Sequence, residues 1–385
     1  MRAFNVIKRL SLSHHIHLLI ISREVQKQKN FHIGREVSAL CDTITCVPID
    51  PRLDLNLFFR VRLFKISRRL YYLFFGSIEK LYCSPKMIQT LKSLYPEIHF
   101  DIIHVFRIYM MGFAACFFSP ETSPFLQLDL DDIESRTHYR LSELYKLNKH
   151  KKLAEKMHLD ADYYQKLEKQ VLQKADRIFV CSVIDKKWLA DKYHNTNMII
   201  VPNIVDIPDI MNHPHTNEWF TFLFIGSLGY YPNYEGIVHF CRNILPIIRE
   251  QATKSFEVHI VGTGITKKLT TILSAIPNVN IIGTVPNVAP QYSAAGAMIV
   301  PVRAGGGTRI KVLEAFAHQC PVVSTKFGVE GIAGHHEEHF LSSESDEDFA
   351  QNCLRLMNEP LFARQLVSNA FDLVKTRYVF DSLKM

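Results

Sequence analysis

The chain has 385 residues, of which 47% are hydrophobic and 22% charged, and this composition predicts a globular protein with two domains. No apolar run approaches the ~20 residues of a membrane-spanning helix, no signal peptide is expected in the charged amino terminus, and the eight cysteines favour scattered reduced thiols over a disulfide or zinc framework. The net charge of +7 is uneven, because residues 1–205 carry 31 basic and 21 acidic side chains and the remainder carries 14 and 17, so the two halves are expected to meet different partners.

The first half alternates short apolar runs with longer amphipathic stretches, which is typical of a parallel sheet covered by helices. Residues 134–174 have the charge and spacing of one long helix. A first Rossmann-like domain is predicted over residues 1–203, followed by a proline-containing linker at 204–219. Its strands are predicted at residues 16–22, 44–49, 101–106, 124–130, 177–182 and 197–203.

The start of this domain is unusual. A domain of this class normally opens with a strand, a glycine loop and a helix, whereas residues 1–15 have helical spacing and precede the first strand. The first strand is therefore expected to be missing. A start codon assigned too late, a truncated chain and a differently built domain all remain open.

Residues 58–75, FFRVRLFKISRRLYYLFF, interleave five basic side chains with aromatic and aliphatic ones. Such a pattern is typical of a helix that lies on a membrane surface. A solvated amphipathic helix that packs on the protein's own sheet would have the same sequence pattern. Nucleic acid is not expected as a partner, because no recognition motif accompanies the charge.

The second half repeats the alternation. Strands are predicted at residues 220–227, 256–262, 279–283, 297–302 and 321–325, with helices between them. A second Rossmann-like domain is therefore predicted over residues 220–370, and the tail at 371–385 is expected to cross back to the first domain. The predicted fold class is α/β, with two doubly wound domains that face a cleft where ligands bind.

The stretch RAGGGTRIKVLEAFAHQCPVVST at residues 303–325 predicts a ligand site. Gly305, Gly306 and Gly307 let a backbone approach a ligand closely, and Thr308 is a suitable N-cap for the helix that follows. The first turn of that helix would bind an anion. Arg309 and Lys311 lie at the same helix end, where cations oppose the helix dipole, so their presence is better explained by an anionic ligand. The alternative is a glycine turn with exposed basic residues.

Glu314 lies three residues after Lys311, so both project from one helical face. An acid among apolar neighbours is either a surface residue at an edge or an acceptor for ligand hydroxyls. Beside a phosphate site, the second interpretation implies the paired hydroxyls of a ribose. Together these residues predict a site for a nucleoside diphosphate.

These residues resemble a known family, the retaining GT-B glycosyltransferases of family 4 that assemble capsules, exopolysaccharides and lipopolysaccharides. The resemblance covers residues 2–378 and is carried mainly by GGGTRIKVLEAFA…PVVST…GVEGI. The combination is specific, although each piece alone is weak. The other matching segments are VPNIVD (201–206), FIGSLGYYPNYEGI (224–237), VHIVGTG (258–264) and NIIGTVPNV (280–288).

The resemblance implies a role for each donor-site position. Glu314 would hold the ribose hydroxyls of a nucleotide-sugar donor, and the acceptor would bind to the first domain. No metal and no cofactor are implied, because basic residues and a helix N-terminus stabilise the departing diphosphate. Gly226 and Ser227 would contact the pyrophosphate through backbone N–H groups, Arg309 and Lys311 would neutralise it, and Gly283, Thr284 and Val285 would line the base pocket.

The chain also departs from the family pattern. Many relatives carry a second acid eight positions before the ribose glutamate, where this chain has Gly306. Relatives often have a lysine after the first strand of the second domain, where this chain has YYPNYEG, so Arg309 or Lys311 is expected to substitute for it. Because the opening strand and glycine loop are expected to be missing, an inactive protein is an alternative interpretation.

Two groups in the first half are candidates for the acceptor side. Asp131 and Asp132 follow a predicted strand and are the candidate catalytic carboxylates, which would orient an acceptor hydroxyl or accept its proton. Helix capping by Asp132 or Ser135 is the alternative. His104 and Arg107 are candidate acceptor-binding residues, with a core histidine as the alternative for His104.

The leading interpretation is a cytoplasmic glycosyltransferase of the hexosyltransferase type. It would move a sugar from a nucleotide-sugar donor to a glycan or lipid-linked acceptor in cell-surface polysaccharide synthesis, with a peripheral contact to the anionic inner face of the plasma membrane. A degenerate, non-catalytic GT-B protein that binds nucleotide or an assembly partner is one alternative. A nucleotide-sugar epimerase is another, and Gly306 argues against it because an epimerase needs additional acids around the sugar.

Overall fold

The computed structural model describes residues 2–27, 33–95, 98–118, 123–194, 197–208 and 219–383. These fall into two compact units that divide between Val201 and Pro202. Most of the predicted linker at 204–219 lies outside the described residues. None of the helices in the described ranges combines the length and apolarity needed to cross a bilayer.

The first unit contains two parallel sheets. Strands β1 and β2 form one, and the other has the order β3-β4-β5-β6. Within the described residues, β1 pairs only with β2 and β3 only with β4. The strands are β1 (His17–Ser22), β2 (Thr43–Pro48), β3 (Ile102–Phe106), β4 (Phe125–Leu130), β5 (Arg177–Val180) and β6 (Met198–Ile200).

The helices of the first unit differ from the prediction in more than one place. The helix expected within residues 58–75 is two helices, because Ser67 takes an extended backbone with φ of −147° between them. The helix expected over residues 134–174 is two helices, because Lys149 takes a left-handed backbone with φ of 62° and ends the first of them. The Ser142 hydroxyl then donates to the Ala154 carbonyl and ties the two helices together. The helices are α1 (Arg2–Leu10), α2 (Glu24–Lys27), α3 (Arg35–Ser38), α4 (Leu55–Ile66), α5 (Arg68–Phe75), α6 (Pro85–Leu94), α7 (Met111–Ala114), α8 (Glu134–Leu147), α9 (Lys151–Leu172) and α10 (Val183–Tyr193).

The second unit is built on one parallel sheet of the order β9-β8-β7-β10-β11-β12. This is the doubly wound arrangement, in which the chain starts at the centre, builds one half of the sheet and returns to build the other. The strands are β7 (Phe220–Ile225), β8 (Phe256–Val261), β9 (Val279–Gly283), β10 (Ala297–Val300), β11 (Val322–Thr325) and β12 (Leu341–Ser343). The sequence analysis did not predict β12.

Helices cover both faces of this sheet. Alternate residues of β7 illustrate why: Phe222 and Phe224 belong to one buried cluster and Leu223 and Ile225 to another, as the two-residue period of a strand requires. The last helix runs through residue 370, where the sequence analysis placed the end of the second domain. The helices are α11 (Tyr231–His239), α12 (Leu245–Gln251), α13 (Lys267–Ser274), α14 (Ala289–Ala294), α15 (Ile310–Ala317), α16 (Asp346–Asn358) and α17 (Pro360–Arg377), and a π-helical stretch (Phe240–Ile244) joins α11 to α12.

Candidate functional site

The strand order of the second unit defines where a ligand would bind. Strands β7 and β10 lie side by side at the point where the winding direction reverses, and ligands of open α/β sheets bind beyond the carboxyl ends of the strands at such a point. Gly226 and Ser227 follow β7, and the triglycine loop follows β10. The topology therefore brings two of the predicted donor-site segments to one edge of the sheet.

Glycines are required where the ends of β7 and β8 meet. A Cβ atom added to Gly262 would lie 1.9 Å from the Gly226 carbonyl oxygen, and Gly262 has a φ of 148°. The Gly226 amide donates to the Val261 carbonyl (3.0 Å) and the Gly262 amide to the Gly283 carbonyl (2.8 Å). The three loops after β7, β8 and β9 are thus held together by main-chain contacts that a side chain would break.

The triglycine loop has the backbone that its sequence predicts at two positions. Gly305 and Gly307 have φ values of 115° and 64°, a region that favours glycine. The Arg309 guanidinium folds back and donates to the carbonyls of Gly306 and Gly307 and, at 3.4 Å, to that of Ala304. In this structure Arg309 therefore organises the loop rather than presenting an unengaged cation.

The predicted N-cap at Thr308 is wrong. Helix α15 begins at Ile310, and its N-cap residue is Arg309, whose side chain makes no capping bond. Thr308 is buried, and its hydroxyl has no hydrogen-bond partner within the described chain. The helix starts later than predicted because Arg309 keeps an extended backbone while its side chain bonds to the glycine carbonyls.

Lys311 reaches the end of β7 from the first turn of α15. Its Nζ donates to the Ile225 carbonyl (3.1 Å) and to Asn233 Oδ1 (2.9 Å), and lies 4.7 Å from the centre of the Phe224 ring. Burial, followed by the nearby Arg309 charge, lowers the pKa of Lys311 to about 7. Both hydrogen-bond acceptors of the ammonium are neutral, so an anionic ligand would stabilise its charged form.

Glu314 lies one turn further along α15 and is half-buried. The Tyr292 hydroxyl lies 3.5 Å from Glu314 Oε2 and 3.3 Å from the Lys311 carbonyl oxygen. Burial raises the pKa of the Glu314 carboxyl, while Tyr292 and Lys311 oppose that shift. The carboxylate is thus partly desolvated and has capacity for further hydroxyl donors.

The predicted base-pocket residues follow β9. Gly283 ends the strand with a φ of 82°, and the Thr284 hydroxyl lies 3.4 Å from the Gly262 carbonyl oxygen. Val285 packs at the edge of a buried cluster that includes Val261. These three residues therefore lie in the loop next to the one that approaches Gly226.

Asn233 is a site residue that the sequence analysis did not single out. Its Nδ2 donates to the Ser227 carbonyl (2.9 Å), and its Oδ1 accepts from Lys311. It lies in the YYPNYEG segment, where relatives often have a lysine. The sequence signal for Asn233 was that this segment lacks the lysine found in relatives. In the structure, the Lys311 ammonium reaches Asn233 from α15.

In the first unit, Arg107 joins two acids at the carboxyl end of the sheet. Its Nη2 lies 2.6 Å from Asp131 Oδ2, and its Nη1 lies 3.5 Å from Glu134 Oε1. Arg107 also has a φ of 75°, a strained backbone for a residue with a side chain. Burial, followed by Asp132, raises the pKa of Glu134 to about 7. The sequence analysis missed Glu134.

Neither Asp132 nor Ser135 caps α8, so the capping alternative is wrong. The N-cap residue is Ile133, which has no side-chain capping bond. Glu168 of α9 instead accepts from the Ser135 amide (2.9 Å) and hydroxyl (2.6 Å). Asp132 Oδ1 accepts from the Thr137 hydroxyl at 3.2 Å.

His104 lies inside β3 rather than at its end. Its Nδ1 is 3.1 Å from Gln127 Oε1, its Nε2 is 3.9 Å from Asp129 Oδ2, and its ring stacks on Phe179. Burial lowers the pKa of His104. These contacts favour the core-histidine interpretation over an acceptor-binding role.

Comparison with known families identifies the second unit. Residues 220–359 match the family described as "Glycosyl transferases group 1". A curated relative, an "uncharacterized 44.6 kDa protein in cps region" of Klebsiella pneumoniae, is 25% identical over 170 residues, which cover 42% of this chain and 43% of the relative. The match thus spans less than half of that relative's length.

Solved structures resemble the chain over nearly its whole length. Sucrose-phosphate synthase from Thermosynechococcus elongatus has a TM-score of 0.67 at 14% identity and covers 99% of this chain and 89% of its own. Anabaena Alr3699/HepE in complex with UDP and glucose has a TM-score of 0.63 at 11% identity, with coverages of 99% and 92%. The chain therefore has the GT-B fold, and the predicted α/β class is confirmed.

Proposed function

We propose, with the GT-B fold and the group 1 domain as the premise, that this chain is a retaining, metal-independent glycosyltransferase of the hexosyltransferase type. It moves a sugar from a nucleotide-sugar donor to a glycan or lipid-linked acceptor. Its role is in cell-surface polysaccharide synthesis, at the cytoplasmic side of the membrane. The relative from a cps region supports that setting, and the UDP and glucose bound to Alr3699/HepE support a nucleotide-sugar donor.

The donor side of this proposal rests on the second unit. Glu314 accepts the ribose hydroxyls, and Ser227 contacts the diphosphate through its amide. The Gly226 amide is already bonded to the Val261 carbonyl, so Gly226 contributes only close approach of the ligand to the main chain. Lys311 and the N-terminus of α15 neutralise the charge that develops on the departing diphosphate. This positive charge supplies what a divalent cation would otherwise provide, so transfer is expected to persist in the presence of a chelator. The single observation that carries the proposal is the position of the Lys311 ammonium beside Gly226. A Cβ atom added to Gly226 would lie 3.2 Å from Lys311 Nζ.

The acceptor side is assigned to the first unit. Asp131 or Asp132 orients the acceptor hydroxyl and accepts its proton. The hydroxyl oxygen forms the new bond to the anomeric carbon as the bond to the diphosphate breaks on the same face, and the diphosphate leaves as an anion. Arg107 Nη2 and Asp131 Oδ2 form an ion pair at 2.6 Å, which an anionic acceptor group can approach. Asp132, bound to Thr137, is the second candidate.

Glu314→Ala tests the proposed site directly. The variant is expected to weaken nucleotide binding by ~2–3 kcal/mol, about 30- to 150-fold, because a ligand diol loses its charged acceptor. Isothermal calorimetry with a nucleoside diphosphate measures this. The control is Glu347→Ala, which removes an exposed acid from the start of α16 in the same unit. An unchanged dissociation constant for Glu314→Ala, with the control also unchanged, removes Glu314 from the site.

A non-catalytic nucleotide-binding protein is the second candidate. The observation that favours it is the division of the first unit into two separate sheets, because the acceptor side depends on that unit. Incubation with a radiolabelled nucleotide sugar separates the two candidates. Release of the diphosphate together with a labelled product supports the transferase, and nucleotide binding without turnover across a panel of acceptors supports the non-catalytic alternative.

A further inference from the structure

Helix α4 has apolar side chains both on the side that faces the core and on its exposed side. Leu57 and Val61 are buried in the core of the first unit. A second stripe, at the spacing of successive helical turns, is exposed. It consists of Leu55, Phe58, Phe59, Arg62, Lys65 and Ile66. A helix that is apolar on both sides is normally covered on both sides.

Helix α5 continues this exposed surface. Its core side holds Tyr71 and Tyr72, which are almost fully buried. Its outer side is Arg69, Leu70, Leu73 and Phe74, and Leu73 and Phe74 are 77% and 70% exposed. Ser67 lies between the two helices and is both the C-cap of α4 and the N-cap of α5. We call the exposed side chains of both helices the α4–α5 face.

The charge of the α4–α5 face has one sign. Residues 55–75 contain five basic side chains and no acid. Two of the five are engaged within the protein: Arg60 donates to the carbonyls of Lys80 and Cys83, and Arg68 lies 3.0 Å from Asp160. The remaining three, Arg62, Lys65 and Arg69, are exposed. The face therefore combines seven large apolar side chains with three cations.

We propose that the α4–α5 face docks on an anionic lipid bilayer, with its aromatic and aliphatic side chains in the headgroup–acyl boundary and its three cations at the lipid phosphates. This inference deepens the membrane contact in the proposed function by naming the surface that makes it. Charge complementarity selects this partner, because anionic lipids attract juxtamembrane lysine and arginine. Long basic side chains keep their charge in water while their stems lie along apolar groups, and Arg62 already lies over the Phe58 ring, 5.9 Å from its centre.

The test is sedimentation of the full chain with vesicles of phosphatidylglycerol and phosphatidylcholine in equal parts. The wild-type protein is expected to bind these vesicles, to bind more weakly as salt rises and to leave pure phosphatidylcholine vesicles largely free. The triple variant Arg62→Ser, Lys65→Ser, Arg69→Ser is expected to bind about 100-fold more weakly. The variant Ile66→Ser, Leu73→Ser, Phe74→Ser is expected to lose at least about tenfold.

The matched control removes three exposed cations from the second unit: Lys267→Ser, Lys268→Ser and Arg364→Ser. It is expected to keep wild-type vesicle binding. Equal weakening by the control and the first variant overturns the assignment, because the effect would then follow net charge alone. Concentration-dependent dimerisation without lipid, abolished by the apolar variant, also overturns it and assigns the face to a second copy of the chain.

Nucleotide binding by each variant separates this inference from the proposed function. The altered side chains are exposed and lie outside the donor site, so the variants are expected to keep their affinity for a nucleoside diphosphate and their melting temperature. Vesicle binding by a protein that binds no nucleotide counts against the proposed function alone. Failure to bind vesicles with nucleotide binding intact counts against the α4–α5 face alone.

Discussion

Lys311 is the residue whose ionisation the site controls most directly. Its ammonium contacts the Ile225 carbonyl, the Asn233 amide oxygen and the Phe224 ring, none of which carries charge. Arg309 lowers its pKa further, and Glu314, one turn away, opposes that shift. A bound diphosphate adds negative charge at this point and favours the ammonium.

Nucleotide binding is therefore expected to take up a proton at Lys311. The pKa of about 7 in the free protein rises on binding, so at pH 8 the complex holds more protons than its free components. Because binding takes up protons, affinity falls as pH rises above about 7, by up to about tenfold per pH unit. Calorimetry at pH 8 in Tris and in phosphate, which have different ionisation enthalpies, counts the protons.

Lys311→Arg is the comparison for this prediction. Arginine stays charged throughout this pH range, so the variant is expected to bind nucleotide without proton uptake and with a flatter pH dependence. Proton uptake of equal size in both proteins assigns it to another group. No uptake in the wild-type protein means that nucleotide binding does not change the charge of Lys311, which contradicts the prediction.

At the scale of secondary-structure elements, the donor site depends on how closely the ends of β7, β8 and β9 approach. Gly262 and Gly283 both have positive φ, but their surroundings differ. A Cβ on Gly262 would overlap the Gly226 carbonyl, whereas no atom of the described residues lies within 4 Å of a Cβ on Gly283. Alanine substitutions at these two glycines therefore distinguish the loss of stability caused by steric overlap from the loss caused by backbone strain.

Gly262→Ala is expected to destabilise the second unit by at least ~2 kcal/mol and to abolish nucleotide binding, since β7 and β8 must move apart at the site. Gly283→Ala is expected to cost only about 1–2 kcal/mol, the strain of its left-handed backbone. Urea denaturation gives both values. Equal destabilisation by the two substitutions would show that the overlap at Gly226 relaxes freely.

At the scale of the whole molecule, each unit has buried clusters of its own. The first unit's cluster includes Leu91, Leu128 and Ile178. The second has one cluster on each side of its sheet, represented by Phe240 and Phe316. Units with separate cores can unfold separately.

Differential scanning calorimetry of the full chain is expected to show two transitions. Because the donor residues all belong to the second unit, a nucleoside diphosphate at 100 times its dissociation constant is expected to stabilise that transition by about 2.7 kcal/mol and to leave the other in place. Glu314→Ala provides the control, since it should lose the shift. A nucleotide shift of the first unit's transition would contradict the assignment of the donor site.

Local sequence determined a large part of this protein. The apolar strand runs, the glycines at Gly305 and Gly307 and the helix that carries Lys311 and Glu314 follow from residue type and spacing, because backbone freedom and burial period are local properties. The five basic residues of segment 55–75 are also evident from the sequence. Their exposure to solvent could not be predicted from it.

Only the tertiary structure decided where the polar side chains point and what they contact. Asn233 bonds to Lys311 across 78 positions, and Glu168 replaces the expected cap of α8 from 33 positions away. Arg60 and Arg68 turn inward while Arg62, Lys65 and Arg69 remain outside. The physical reason is that hydrogen bonds and desolvation depend on which distant segments meet, and that is settled when the sheets and helices pack.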